Sequence, residues 1–152
     1  MKFFETVSSP LGLIELEADE KVLRGARFVK KKRFPDDPNT VLRRAADELD
    51  RYFTGELKNF SVPLKTEGTL FQEKVWRALR KVRWGEVTSY QKLARRTGVA
   101  RAVRAVGSAL GANPVVIFVP CHRVIQSHGS LSGYSGGIGR KRWLLRHENQ
   151  SV

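Results

Sequence analysis

Asn113-Pro114-Val115-Val116-Ile117-Phe118-Val119-Pro120-Cys121-His122-Arg123 is the stretch around which this chain is organised. It contains the only cysteine, Cys121, beside one of just three histidines, His122. The apolar run over 115–119 reads as a buried strand that carries the pair into the interior, with a proline at each end. Pro114 biases Asn113 toward extended backbone, and Pro120 constrains the chain just before the thiol. Lone cysteines are mostly inert, buried hydrophobes. Here the adjacent His122, the two prolines and the following Arg123 favour a reactive thiol, because a thiolate near pH 7 needs cationic or hydrogen-bonding neighbours.

Downstream, a Gly/Ser-rich loop over 127–139 includes Tyr134-Ser135-Gly136-Gly137, which can bring backbone close to a flat ligand. A last helix over 140–147 is expected to bury Trp143, Leu144 and His147, with Glu148 at its end. A carboxylate at a helix C-terminus is electrostatically unfavourable. Residues 69–152 hold three acids, Glu73, Glu86 and Glu148, of which the first two suit solvent. Glu148 is the one whose place calls for a reason.

Upstream, Thr69 reads as the N-cap of a helix with Gln72 as its capping-box partner, and Phe71, Val75, Trp76, Leu79 and Val82 form its apolar stripe. Ser89 caps a second helix beginning at Tyr90 and closed by Thr97-Gly98. A small-residue helix follows over 101–110. The last two make a helix-turn-helix pattern. Ala102, Ala105, Gly107 and Ser108 keep the second helix of the pair narrow, and Arg104 is its one long central side chain.

The first 30 residues read as a three-stranded antiparallel meander with turns at Ser8-Ser9-Pro10-Leu11-Gly12 and Asp19-Glu20-Lys21. The cluster Lys30-Lys31-Lys32-Arg33 is a solvated strand end, Pro35-Asp36-Asp37-Pro38 a loop, and 39–53 a helix ended near Gly55. Val62 and Leu64 suggest a short strand. This part is a scaffold without an evident site.

The chain has 152 residues, 28 Lys/Arg and 15 Asp/Glu, for a net charge of +13. The excess is uneven: 13 Lys/Arg against 12 Asp/Glu in residues 1–68, and 15 against 3 in residues 69–152. A basic surplus confined to one half is an electrostatic footprint for nucleic acid. One cysteine excludes an internal disulfide and suggests a reducing compartment. With no Cys or His before Cys121, a structural zinc is not expected, nor is any cofactor. The N-terminus lacks a signal-peptide core, and the apolar runs fall far short of the roughly 18 residues that span a bilayer. A cytoplasmic protein without membrane attachment is expected, nucleoid-associated if prokaryotic.

Pro120-Cys121-His122-Arg123-Val124, preceded by Asn113-Pro114, resembles the active-site motif of the O6-alkylguanine-DNA alkyltransferases. Gly85-Glu86-Val87-Thr88-Ser89-Tyr90, Arg101-Ala102-Val103-Arg104-Ala105-Val106-Gly107, Tyr134-Ser135-Gly136-Gly137 and Trp143-Leu144-Leu145-Arg146-His147-Glu148 extend the resemblance in order and spacing. It implies an α+β fold: a small N-terminal antiparallel sheet with a helix (ribonuclease-H-like, 1–66), joined to a mainly helical part with a helix-turn-helix (winged-helix-like, 67–152). It also implies a monomer that moves the alkyl group of O6-alkylguanine in double-stranded DNA, and less well of O4-alkylthymine, irreversibly onto Cys121.

By the same resemblance, His122 removes the thiol proton through a water and Glu148 orients His122. Tyr90 donates to the departing base, and Asn113 braces the site. Val124, Tyr134, Ser135 and Gly136 form the base pocket. Arg104 fills the stack left by a flipped nucleotide, Ala102 and Ala105 make close groove contacts, and Arg95, Arg96 and Arg101 meet phosphates. The alternative is a non-enzymatic lesion sensor, against which Cys121 speaks. A transcription regulator would need base-edge readers that this small-residue helix lacks, and a cysteine hydrolase leaves the basic half unexplained.

Overall fold

The computed structural model describes residues 1–34, 37–131 and 133–152. Pro35 and Asp36 of the expected loop, and Ser132 of the Gly/Ser-rich loop, lie outside the described residues. Contacts gather into two units: Met1–Thr66 with Pro114–Val116, and Glu67–Asn113 with Ile117–Val152. The class is α+β, as the sequence suggested.

In the first unit, β1 (Phe3–Ser9), β2 (Gly12–Ala18) and β3 (Leu23–Val29) form the antiparallel meander in the order β1-β2-β3. Side chains alternate across a strand, so Ile14, Leu16 and Ala18 of β2 share one face, and all are fully buried. Asp19 makes the second turn by accepting from the backbone N–H of Lys21 and Val22 (2.7 and 2.8 Å). Helix α1 (Thr40–Phe53) is capped by Asn39, whose side chain accepts from Leu42 N at 2.9 Å. It turns Val41, Leu42, Ala45, Leu49 and Tyr52 inward against the sheet. Burying a large apolar side chain contributes about 1.5–3 kcal/mol, so this layer supplies most of the unit's stability.

The outer edge of β3 is covered. Leu23 N donates to Pro63 O and Lys65 N to Leu23 O (2.8 and 3.0 Å), then Ala26 N to Pro114 O and Val116 N to Ala26 O (2.9 and 3.0 Å). Val62 and Leu64 therefore contribute one bridge at Leu64 instead of the strand expected from the sequence. Residues 115–119 are likewise not a continuous strand. Val115 and Val116 occupy bridge positions, but Ile117 has φ 74 and the chain turns at Ile117 and Phe118. A β-branched residue in the left-handed region is strained by about 1–3 kcal/mol. The turn is held because Pro114–Val116 pairs on β3 while the Asn113 side chain bonds forward to Val119 O (2.8 Å).

In the second unit, α2 (Leu70–Leu79), α3 (Tyr90–Arg96) and α4 (Val103–Gly111) pack pairwise around Val75, Trp76, Leu79, Leu93, Ala94, Val106 and Ala109. The Thr69/Gln72 capping box forms on α2, and Ser89 caps α3. Trp76 Nε1 donates to Ala109 O (2.8 Å), locking α2 to α4. A Cβ on Gly68 would lie 2.6 Å from the Trp76 ring, so only glycine fits there.

Helix α4 begins at Val103, two residues later than expected, because Arg101 and Ala102 form a turn and Ala102 has no side chain able to cap. Two residues each of β4 (Thr88–Ser89) and β5 (Val124–Ile125) pair in parallel. Helix α5 (Ile138–His147) starts two residues early and buries Lys141, Leu144 and Leu145. Trp143 and His147, expected inside, are only half-buried and stack on each other with centroids 4.9 Å apart.

Glu48, buried on α1, organises the segment after it. Its Oε1 accepts from Ser61 N and Val62 N (2.9 and 3.0 Å), and its Oε2 from Ser61 Oγ (2.7 Å). Burial opposes its ionisation, but these bonds outweigh it and hold the carboxyl below its ordinary range. Glu48→Ala strands two backbone donors and should destabilise the protein by about 2–4 kcal/mol in urea unfolding. Glu48→Gln keeps one acceptor oxygen for both amides and should cost less.

Candidate active site

Pro120 leads into a single 3₁₀ turn, Cys121–Arg123. Cys121 N donates to Val119 O (2.8 Å) and Arg123 N to Pro120 O (3.0 Å). Adjacent side chains of an extended strand would point to opposite sides; in this turn that alternation does not hold. Cys121 is 3% exposed and opens on a pocket of about 200 Å³ lined by Tyr90, Gly107, Leu110, Gly111, Cys121, Gly133, Tyr134 and Ser135.

The β4–β5 pair brings Tyr90 to the same pocket. It joins Thr88 to Val124 and Ser89 to Ile125, so the start of α3, with Tyr90, is pinned beside the end of the cysteine turn. Asn113 Nδ2 donates to both Val119 O (2.8 Å) and Cys121 Sγ (3.1 Å). A carbonyl only accepts, so Val119 orients the amide with its two N–H groups toward the turn and the sulfur. Burial pushes the Cys121 thiol up to about 11; the Asn113 bond and the Lys141 charge oppose this without cancelling it. At neutral pH the group is therefore a thiol, and its use as a nucleophile requires a base.

His122 and Glu148 are both fully buried. His122 Nε2 lies 2.9 Å from Glu148 Oε2. Arg123 grips the same carboxylate, with Nε to Oε1 at 2.7 Å and Nη2 to Oε2 at 2.9 Å, while its Nη1 donates to Val82 O at 2.6 Å. Burial raises the Glu148 carboxyl, but the bonds from His122 and Arg123 overcome that and hold it at about 2. An ionised carboxylate only accepts, so Nε2 of His122 carries the proton and Nδ1 keeps the lone pair. Nδ1 is buried and has no hydrogen-bond partner among the described residues. Burial lowers the His122 pKa below its ordinary 6.5, against the opposing effect of the Glu148 bond. The result is a neutral imidazole at pH 7 with one free basic nitrogen.

The other residues singled out in the sequence divide into two groups. Tyr90, Tyr134 and Ser135 line the pocket with Cys121. Burial, and next the proximity of Cys121, raise Tyr134 well above 10, so it stays protonated. Val124 is buried in β5, and the carbonyl of Gly136 accepts from Arg140 Nη1 (3.2 Å); neither is among the pocket-lining residues. Arg95, Arg96, Arg101, Arg104 and Ala105 are exposed and Ala102 is half-buried. They stand on α3, on α4 and in the turn between them, apart from the thiol pocket.

Two residues escaped the sequence reading. Arg123 was noted only as a neighbour of the thiol, yet it is the second hand on Glu148. Lys141 is 1% exposed on α5; burial lowers it to about 8, and its interaction with Cys121 works in the opposite sense. Its spacing from Leu144 and Leu145, three and four residues on, was the available signal. Among the described residues no group of three His, Cys, Asp or Glu could hold a metal ion, and no helix is long and apolar enough to cross a membrane.

Two family models cover nearly the whole chain. One, described as 6-O-methylguanine DNA methyltransferase, ribonuclease-like domain, matches residues 2–66, and the other, the DNA binding domain of the same family, matches residues 70–150. The methylated-DNA–protein-cysteine methyltransferase of Methanosarcina acetivorans is 41% identical, over 96% of this chain and 97% of that protein. The protein of the same name from Mycobacterium bovis is 44% identical, over 97% of this chain and 93% of its own length. A crystal structure of Mycobacterium tuberculosis OGT in complex with DNA superposes with a TM-score of 0.88 at 44% identity, over 95% of this chain and 91% of that one.

Removing one member of a buried ion pair leaves the other charge uncompensated, at a cost of about 3–5 kcal/mol. Arg123→Met should destabilise the protein by that amount in thermal or chemical denaturation. A loss no larger than that of an exposed Arg80→Met control would contradict the network described above.

Proposed function

Because this chain belongs to the 6-O-methylguanine DNA methyltransferase family, we propose that it removes the alkyl group from O6 of guanine in double-stranded DNA and transfers it to its own Cys121, once per molecule. O4-alkylthymine is a poorer substrate. The observation that carries this reading is the poised thiol: Cys121 opens on a small pocket, bonded by Asn113, beside a neutral histidine whose other nitrogen is held by a buried carboxylate.

His122 Nδ1 accepts the Cys121 proton through a bridging water, and Glu148 and Arg123 stabilise the imidazolium that results. The thiolate attacks the alkyl carbon. An S–C bond forms, the C–O6 bond breaks, and its electron pair returns to the purine. Tyr90 donates toward N3 as negative charge develops there, and the Ser135 backbone N–H donates to O6; donors aimed at developing charge supply several kcal/mol. The backbone carbonyls of Cys121 and Val124 accept from the exocyclic amine. The proton that left the thiol ends on the restored guanine, so the sum is a thioether and an unmodified base. Lys141 offsets the thiolate charge during the step. No cofactor takes part.

The target nucleotide must leave the duplex, which costs a few kcal/mol. Arg104 on α4 occupies the vacated stack, with Ala102 and Ala105 against the groove and Arg95, Arg96 and Arg101 on phosphates. The protein acts as a cytoplasmic monomer, with residues 1–66 as scaffold and 67–152 as the reactive, DNA-binding part. A lesion sensor would have no use for the thiol in this pocket, and no observation favours that alternative.

Incubation with a duplex carrying one O6-methylguanine should add the mass of one CH₂ to Cys121, saturating at one per chain and absent in Cys121→Ala. Lesion binding without a mass change would refute transfer. The base must be neutral to accept a proton, and its pKa lies below 6.5. The single-turnover rate should therefore fall to half its plateau only below about pH 6.5. A decline already complete at pH 6.5 would exclude His122 as the base.

A further inference from the structure

A second concavity, of about 650 Å³, lies beside α2 and the end of α3, lined by Lys74, Arg77, Ala78, Lys81, Arg96, Thr97 and Gly98. It shares no residue with the thiol pocket. Lys74 and Arg77 stand three apart on one face of α2, Lys81 just beyond its C-terminal cap, and Arg96 closes α3. All four cations are exposed, and no acid lines the groove. None of the four side chains makes a hydrogen bond or ion pair among the described residues. Cations do favour helix C-termini, which accounts for Arg77 and Arg96. It does not account for Lys74, in the first half of α2, nor for gathering four like charges around one hollow, where they repel.

We infer that this groove is a second track for the phosphodiester backbone of nucleic acid, running along α2 and meeting the contacts proposed above only at Arg96. The ligand class follows from the chemistry. A small anion is held by convergent, buried donors, and here every cation is exposed to solvent. That arrangement suits a repeating polyanion, bound by release of its counterions. An acidic protein surface would also meet the charge. The 15 Lys/Arg against 3 Asp/Glu of residues 69–152, with the match of this part to a DNA binding domain, favours the nucleic acid. The inference rests on the DNA-binding part of the proposed function and not on alkyl transfer.

The test compares the salt dependence of binding to an undamaged duplex. The groove variant is Lys74→Gln, Arg77→Gln, Lys81→Gln; the charge-matched control is Lys30→Gln, Lys31→Gln, Lys32→Gln. Each phosphate contact contributes about 0.9 to the slope of log K against log salt. The groove variant should lose about 2 to 3 from that slope. Wild-type affinity should then fall between 50 and 200 mM salt by about 40-fold more than that of the variant. Methylation of Cys121 by free O6-methylguanine base should be equal in all three proteins, which shows that the fold is intact. A groove variant with the control's slope overturns the inference, whether the groove then takes an acidic protein or nothing. Wild-type binding without methyl transfer would sink the proposed reaction and leave the groove standing. Wild-type transfer with an unaltered slope does the reverse.

Discussion

A single buried carboxylate holds the reactive part of this molecule together. Glu148 sits at the C-terminal cap of α5, where the helix dipole repels an anion, and it has no contact with solvent. Such a charge persists only if nearly every lone pair is met. Arg123 meets it with two nitrogens and His122 with one, and Arg123 reaches on to the Val82 carbonyl. The end of α5, the cysteine turn and the segment after α2 are thereby tied at one point. The same ties that make the burial tolerable decide which nitrogen of His122 is basic.

Around that point the thiol is kept quiet. A cysteine at about 11 is scarcely ionised in neutral solution, and reactivity toward oxidants and stray electrophiles follows the thiolate. Asn113 contributes twice, bracing the turn through Val119 and offering an N–H to the sulfur. Lys141 adds a buried positive charge from the side of α5. At rest the sulfur is therefore a thiol, followed in the chain by an imidazole whose Nδ1 has no hydrogen-bond partner among the described residues.

The strain at Ile117 belongs to the same arrangement. The chain pairs with β3 at Pro114–Val116 and must then bring Cys121 back under Asn113 within a few residues. A continuous strand over 115–119 would carry it away. The left-handed Ile117 closes that loop, and the hydrogen bonds on either side of it hold the conformation.

Much of this was legible beforehand, because local chemistry carries local signals. The Thr69/Gln72 capping box, the Ser89 cap and the Asp19 turn each depend on neighbours a few residues away, and each formed. The strange place of Glu148 was itself a clue to the buried ion pair that it makes. What sequence could not supply were facts created by distant segments meeting. The break at Ile117 depends on the edge of β3, the second grip on Glu148 on Arg123 turning inward, the burial of Lys141 on the register of α5, and the gathering of exposed cations around the groove on the approach of α2 to the end of α3. Composition and spacing determine which groups are available and which local turns they can make. Desolvation and charge pairing depend on what stands across the fold, and only the tertiary structure decided those.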